Sequence, residues 1–160
     1  MCEHTSNIPK LNRRHVLAGA GASGALLLSR KSALSAQSVA AIVQPANDTR
    51  EAFISRAFEM RDKATELGDQ GYGAVIVREG KIIGQSWSRV IIDQDPTAHA
   101  ELVTIRDAAK RTGNRHLNGA ILYSSSHPCP MCEAAAYWAG IAQMIHGREG
   151  RDAGAPRLCG

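Results

Sequence analysis

The sequence predicts an α/β protein in which a central mixed sheet lies between two layers of helices. Three observations in the 160-residue chain lead to this prediction. A long helical pattern comes first, two β-rich runs joined by a two-residue turn come next, and short apolar strands then alternate with helices. A tight turn requires antiparallel pairing, whereas strand–helix–strand units favour parallel pairing, so we expect a mixed sheet.

The first helix is predicted over residues 48–67. Its apolar residues recur at spacings of four and three, which places them on one face: Phe53, Ala57, Met60, Ala64 and Leu67. Asp48 and Glu51 have the spacing of a capping box, in which each side chain accepts a hydrogen bond from the backbone N–H of the other residue. Gly68 is expected to end the helix.

Two strands are predicted next, at residues 72–78 (YGAVIVR) and 81–90 (KIIGQSWSRV). Both runs are rich in residues that favour strands, and Glu79 and Gly80 between them can form the turn. We therefore expect an antiparallel hairpin that packs on the first helix.

The remaining elements alternate in type: a helix from Pro96 to just before Gly113, a strand at residues 119–124, a helix at residues 128–139 and a strand at residues 141–146. After His146 the sequence GREGRDAGAPRLCG has neither a helical nor a strand period. Residues 148–160 are therefore predicted to be a glycine-rich tail, and residues 41–147 to be the folded domain.

Residues 1–40 have the features of an export signal. Arg13 and Arg14 precede an apolar run at residues 16–28, and small residues follow that run. The run is too short to span a bilayer, so we expect no stable membrane anchor. This order resembles a twin-arginine export signal and predicts a periplasmic or exported protein. The alternative is an amphipathic or membrane-anchoring N-terminal helix.

The charge outside this segment favours a small substrate. The formal net charge of the whole chain is +4, but residues 41–160 contain 14 basic and 14 acidic residues. A nucleic-acid-binding domain usually carries an excess of positive charge. We therefore do not expect nucleic acid as a partner.

Four polar side chains lie at the starts of the two later helices. His99 and Glu101 lie at the start of the first, and Cys129 and Cys132 at the start of the second. Two cysteines at this spacing can hold a metal, act as a redox dithiol or form a disulfide. With His99 they provide one nitrogen and two sulfur ligands, which suit zinc and leave its fourth position to water. Glu101 can then move protons to and from that water.

The pattern His-x-Glu followed by Pro-Cys-x-x-Cys is similar to that of the cytidine deaminase superfamily, in the branch that holds bacterial guanine deaminases and tRNA adenosine deaminases. The similar stretch covers residues 53–147 and includes GAVIVREGKIIGQ, RVIIDQDPTAHAELVTIRDA and LYSSSHPCPMCEAAAYWAG. The resemblance implies the three-layer cytidine deaminase-like fold, a bound zinc ion and a homodimer. It implies a catalytic proton shuttle at Glu101 and zinc ligands at His99, Cys129 and Cys132.

Substrate contacts are implied at three positions: Ser88, Ala100 and His127. Ser88 stands where many relatives have an Asn, and His127 stands where a Glu commonly precedes the Pro-Cys pair. His127 could line the pocket or cap the helix that follows it. Relatives also continue with further elements after the fourth strand, so the domain is expected to be shortened at its C-terminus.

The predicted function is hydrolytic deamination of a free nucleobase or nucleoside with release of ammonia. Guanine is the favoured substrate, because Tyr137-Trp138-Ala139 after the second cysteine resembles the guanine deaminases. The alternatives are a cytosine or cytidine deaminase, a tRNA adenosine deaminase, and a zinc-stabilised domain that has lost catalysis.

Overall fold

The computed structural model describes residues 41–158, which form three helices and five strands. In chain order these are α1 (Arg50–Glu66), β1 (Gly73–Arg78), β2 (Lys81–Trp87), α2 (Ala100–Thr112), β3 (Ile121–Ser124), α3 (Pro130–Ala139), β4 (Gln143–His146) and β5 (Arg151–Gly154). The predicted α/β class and the order of the first seven elements are confirmed.

The strands form one mixed sheet in the order β2-β1-β3-β4-β5. Strand β1 pairs antiparallel with both β2 and β3, β3 pairs parallel with β4, and β4 pairs antiparallel with β5. The predicted hairpin is therefore present, and so is the parallel pair of strands that α3 connects.

Strand β5 corrects the prediction that residues 148–160 are a tail. Its sequence RDAG has no apolar alternation, and Arg151 and Asp152 are exposed. The strand forms against the edge of β4, where Asp152 pairs with Ile145 and Arg151 with His146. Because backbone pairing rather than side-chain burial defines this strand, periodicity could not have revealed it.

The sheet lies between two apolar layers, because neighbouring residues of a strand point to opposite faces. Ala74 and Ile76 of β1 belong to a cluster that includes residues of α2 and α3. Val75 and Val77 belong to a second cluster, which includes residues of α1. Helix α1 thus covers one face and helices α2 and α3 cover the other, as the three-layer prediction requires.

Helix α1 begins differently from the prediction. Its N-cap is Thr49, whose side chain accepts a hydrogen bond from the N–H of Ala52 at 3.3 Å. The predicted capping box between Asp48 and Glu51 is therefore wrong. Gly68 follows the last residues of the helix with a φ of +79°, a left-handed conformation that ends helices, as predicted.

Helix α2 approaches β2 closely because Gly84 has no side chain. A Cβ at Gly84 would lie 2.6 Å from the Cβ of Ala108 and 2.8 Å from its backbone nitrogen. The two small residues therefore let the helix rest directly on the sheet. This contact holds the helix whose N-terminal end carries His99 and Glu101.

Within residues 41–158, no helix has the length and apolar character needed to cross a bilayer. The predicted export signal at residues 1–40 lies outside the described residues.

Candidate active site

The N-cap of α2 is His99. Strand β2 ends at Trp87, before its predicted end at Val90, and α2 begins at Ala100, after its predicted start at Pro96. The longer connection keeps His99 in an extended conformation, with φ −62° and ψ 149°. Its imidazole therefore projects from the start of the helix and not from a helical turn.

The N-cap of α3 is Cys129. Pro130 is the first helical residue, where its missing N–H has no effect because the first N–H groups of a helix lack intrahelical acceptors. Cys132 follows in the first turn and is fully buried, whereas Cys129 is partly exposed. Both sulfurs thus lie at the N-terminal end of α3.

The structure brings the three predicted metal ligands together. One ligand atom each from His99, Cys129 and Cys132 lies within 4.8 Å of the others. The Nδ1 of His99 is 3.6 Å from the Sγ of Cys129 and 3.8 Å from the Sγ of Cys132. In a tetrahedral zinc site with bonds of about 2.0–2.3 Å, nitrogen and sulfur ligands lie about 3.6 Å apart. The spacing therefore fits a zinc ion bound through Nδ1 and two sulfurs.

The two cysteines are free thiols rather than a disulfide. Burial raises the pKa of Cys132 well above its usual range, and the neighbouring Glu101 carboxylate and Cys129 raise it further. A helix N-terminus favours a thiolate, but here desolvation and the nearby groups outweigh that effect at Cys132. Because a metal binds the thiolate, metal uptake must release the proton of this thiol.

Glu101 lies beside the ligand cluster. Its side chain is 4% exposed, and its Oε2 is 3.6 Å from the Sγ of Cys132. Its other oxygen, Oε1, accepts a hydrogen bond from the hydroxyl of Ser124 at 2.8 Å. The carboxylate therefore has one oxygen bound to the protein and one facing the cluster.

Ser88 lies at the start of the connection between β2 and α2. It is fully buried, and its hydroxyl donates to Asp69 Oδ1 at 2.8 Å, so the predicted substrate contact at Ser88 stays a prediction. Asp69 also accepts hydrogen bonds from the N–H groups of Ile91 and Ile92, each at 3.0 Å. Ser88 and Asp69 thus anchor the connection that leads from β2 to His99, and Asp69 is a residue that sequence reasoning missed.

Ala100 and His127 lie next to the ligands in the chain. Ala100 is fully buried as the first residue of α2, between His99 and Glu101. His127 is exposed, its Nδ1 lies 2.8 Å from the carbonyl oxygen of Pro128, and its ring meets the ring of His146 edge-on with centroids 4.6 Å apart. Burial lowers the pKa of His146, and the neighbouring His127 lowers it further.

The chain matches one protein family over most of the described residues. The family "Cytidine and deoxycytidylate deaminase zinc-binding region" matches residues 47–148. A guanine deaminase from Bacillus subtilis is 42% identical over 104 residues, which cover 64% of this chain and 67% of that protein. A tRNA-specific adenosine deaminase from Haemophilus influenzae is 38% identical over 106 residues, covering 66% of this chain and 61% of that protein.

Solved structures of deaminases are also similar to this chain. The X-ray structure of guanine deaminase from Bacillus subtilis has 40% sequence identity and a TM-score of 0.60, covering 62% of this chain and 64% of that one. The aligned part of the chain thus spans about three fifths to two thirds of these relatives. The matched family and the His/Cys/Cys geometry agree on zinc. The chain belongs to the cytidine and deoxycytidylate deaminase family of zinc-binding proteins.

Proposed function

We propose that this protein is a zinc-dependent hydrolytic deaminase of a free purine base, with guanine as its first candidate substrate. The observation that carries this proposal is the placement of Glu101. A buried carboxylate with one oxygen 3.6 Å from the ligand cluster is where a proton carrier for deamination is needed.

The chemistry divides between the metal and the protein. His99, Cys129 and Cys132 would hold zinc, and a bound zinc ion supplies Lewis acidity that makes water a stronger acid. Glu101 takes a proton from the attacking water at Oε2 and delivers it to the leaving amino group of the base. A C–O bond forms, the C–N bond breaks, and ammonia leaves with the transferred proton.

Two observations support a small purine base. A guanine deaminase is among the most similar proteins, at 42% identity. The balance of 14 basic and 14 acidic residues in residues 41–160 does not favour a polyanion such as tRNA. A tRNA adenosine deaminase is the second candidate, because a relative with that activity is 38% identical.

An ammonia-release assay tests the proposal. Zinc-loaded protein is incubated with guanine, adenosine, cytosine and cytidine, and an adenosine-containing tRNA anticodon stem-loop is included for the second candidate. We expect ammonia from guanine. Glu101→Gln should reduce kcat by about 10²–10⁴-fold, the usual contribution of general acid–base catalysis, with unchanged zinc content.

The matched control is Glu51→Gln, which removes an exposed carboxylate from the first turn of α1. This variant should keep full activity. Zinc-loaded protein that releases no ammonia from any of these compounds contradicts the deaminase proposal. Full activity of Glu101→Gln contradicts the role of Glu101.

Export and homodimer formation remain predictions from the sequence. The residues that carry the export prediction lie before residue 41, outside the described part of the chain.

A further inference from the structure

We propose that Ser124 is a positioning residue that fixes the Glu101 carboxylate for proton transfer. The inference rests on the proposed deaminase function and adds a residue to it. Ser124 is the last residue of β3 and is 2% exposed. Its hydroxyl donates to Glu101, and through this hydrogen bond it would act on the proton carrier.

The hydrogen bond from Ser124 gives the two oxygens of the Glu101 carboxylate different surroundings. The Ser124 hydroxyl is 2.8 Å from Oε1 of Glu101, and Oε2 is left facing the Cys132 sulfur at 3.6 Å. A carboxylate bound at one oxygen cannot rotate freely about its last torsion. Oε2 is therefore kept toward the metal ligands, where the proton has to be collected.

Ser124 is itself held by the sheet and by its neighbours. Its backbone pairs with Ala74 of β1 and with His146 of β4. The single hydroxyl proton of Ser124 has two acceptors in reach, Oε1 of Glu101 at 2.8 Å and the carbonyl oxygen of Ser126 at 2.7 Å, and a carboxylate is the stronger acceptor of the two. The hydroxyl oxygen in turn accepts a hydrogen bond from the N–H of Ser126 at 3.4 Å. A central strand and these local contacts fix the hydroxyl, and an orienting group is effective only when it is itself rigid.

The polar character of this position has no explanation in core packing. Leu122, two residues earlier on β3, points to the same face and lies in the apolar cluster that α2 and α3 cover. An apolar side chain would therefore suit position 124, because a buried hydroxyl is unfavourable unless it is hydrogen-bonded. The hydroxyl finds its side-chain partner in Glu101.

The test uses Ser124→Ala in the full, zinc-loaded chain with guanine as substrate. Removal of a group that orients a functional side chain typically reduces activity by about 10–100-fold. We expect that loss in kcat, with KM within about threefold of wild type because the substitution acts on proton transfer and not on binding of the base. Zinc content should stay at the wild-type level.

A second pair of variants removes the effect of side-chain size. Ser124→Thr keeps the hydroxyl, whereas Ser124→Val has nearly the same shape as threonine but no hydroxyl. We expect Thr to retain more than ten times the kcat of Val, a difference that follows from loss of the orienting hydrogen bond. This pair decides the question even if Ser124→Ala does not fold.

Thr104→Val provides the matched control. Thr104 is fully buried on α2, and its hydroxyl lies 3.3 Å from the carbonyl oxygen of Ala74 and 2.7 Å from that of Ala100, so these two contacts do not involve the Glu101 carboxylate. Its loss removes a buried hydroxyl from the helix that carries Glu101 and leaves the hydrogen bond from Ser124 to the carboxylate in place. We expect kcat close to that of wild type.

A crystal structure of zinc-loaded Ser124→Ala gives a readout independent of activity. We expect Glu101 to adopt a rotated carboxylate relative to wild-type crystals. An unchanged carboxylate together with unchanged kcat overturns the role of Ser124 while the deaminase function stands. If wild type releases ammonia from none of the tested compounds, the deaminase function fails, and the orientation of Glu101 in the two crystal structures alone decides the inference.

Discussion

Helix α1 begins differently from helices α2 and α3. In α1 the side chain of Thr49 accepts a hydrogen bond from the helix, as N-cap residues commonly do. The N-cap positions of α2 and α3 are occupied by His99 and Cys129. In the structure, which describes residues 41–158, neither side chain forms a hydrogen bond to the first turn of its helix. Both side chains belong instead to the group of three residues that could hold a metal ion.

This difference shows that the metal ligands occupy positions at which a capping side chain would stabilise the helix. A side-chain cap typically contributes about 1 kcal/mol to stability, and α2 and α3 each do without it. Proteins tend to break local rules at functional positions and to compensate elsewhere. All three helices carry an acidic residue in the first turn, Glu51, Glu101 and Glu133, where the helix dipole favours negative charge, so the missing side-chain caps are what distinguish α2 and α3.

The largest effect is expected when α2 is given an ordinary cap. His99→Asn replaces a zinc ligand with a side chain that caps helices well, so zinc affinity should fall by more than about a hundredfold. The metal-free variant should gain about 0.5–1 kcal/mol in its free energy of unfolding. Chelator competition measures the first quantity, and urea unfolding in EDTA measures the second.

His116→Asn, a change of an exposed histidine, is the control and should alter neither quantity. Wild-type zinc affinity in His99→Asn contradicts the assignment of His99 as a ligand. A loss of metal-free stability contradicts the idea that the start of α2 is compromised for the metal.

An intermediate effect is expected at Asp69, which anchors the connection leading to His99. Asp69→Ala leaves the Ser88 hydroxyl and the N–H groups of Ile91 and Ile92 without their acceptor. The Ser88 hydroxyl is fully buried and a buried donor without a partner is costly, so the free energy of unfolding should fall by about 1–3 kcal/mol at pH 7. Urea denaturation measures this change.

The stability difference between wild type and Asp69→Ala should depend on pH. Burial alone would raise the pKa of Asp69, but hydrogen bonds from Ile92, Ser88, Gln70 and Ile91 outweigh it and hold the pKa below its ordinary value. The ionised group therefore stabilises the fold above its unfolded pKa of about 4, and that contribution is lost as the pH falls through the lower folded pKa. The gap between wild type and Asp69→Ala should narrow from pH 6 to pH 3.

Asp93→Ala serves as the control for Asp69. Asp93 pairs with Arg89 in the same connection, but its side chain is 41% exposed, so its loss should cost less than about 1 kcal/mol. A gap for Asp69→Ala that stays constant with pH contradicts the role of its ionised form.

The smallest effect is expected at α1. Thr49→Ala removes the side-chain cap and should lower the free energy of unfolding by about 1 kcal/mol, with zinc affinity unchanged. Thr49→Ser keeps the hydroxyl and should restore most of the loss. Thermal or urea unfolding of the three proteins, together with a zinc titration, measures both. An effect of Thr49→Ala on zinc affinity contradicts the separation between α1 and the metal site.

The sequence by itself determined the order of the first seven elements and the set of metal-ligating residue types. These follow from local information: apolar spacing along α1, strand-forming residues around the turn at Gly80, and a Cys-x-x-Cys pair whose spacing places both sulfurs at one helix start. Each depends on residues close together in the chain, so each can be recognised without knowing what packs against it.

Only the tertiary structure decided the formation of β5, the partner of the Ser88 hydroxyl and the contact between Ser124 and Glu101. Strand β5 depends on pairing with the edge of β4, Ser88 on an acceptor 19 residues earlier, and Ser124 on a carboxylate 23 residues earlier. A hydroxyl in a sequence is compatible with many partners, since it can donate one hydrogen bond and accept others. Which partner it takes is set by the close packing of elements distant in the chain.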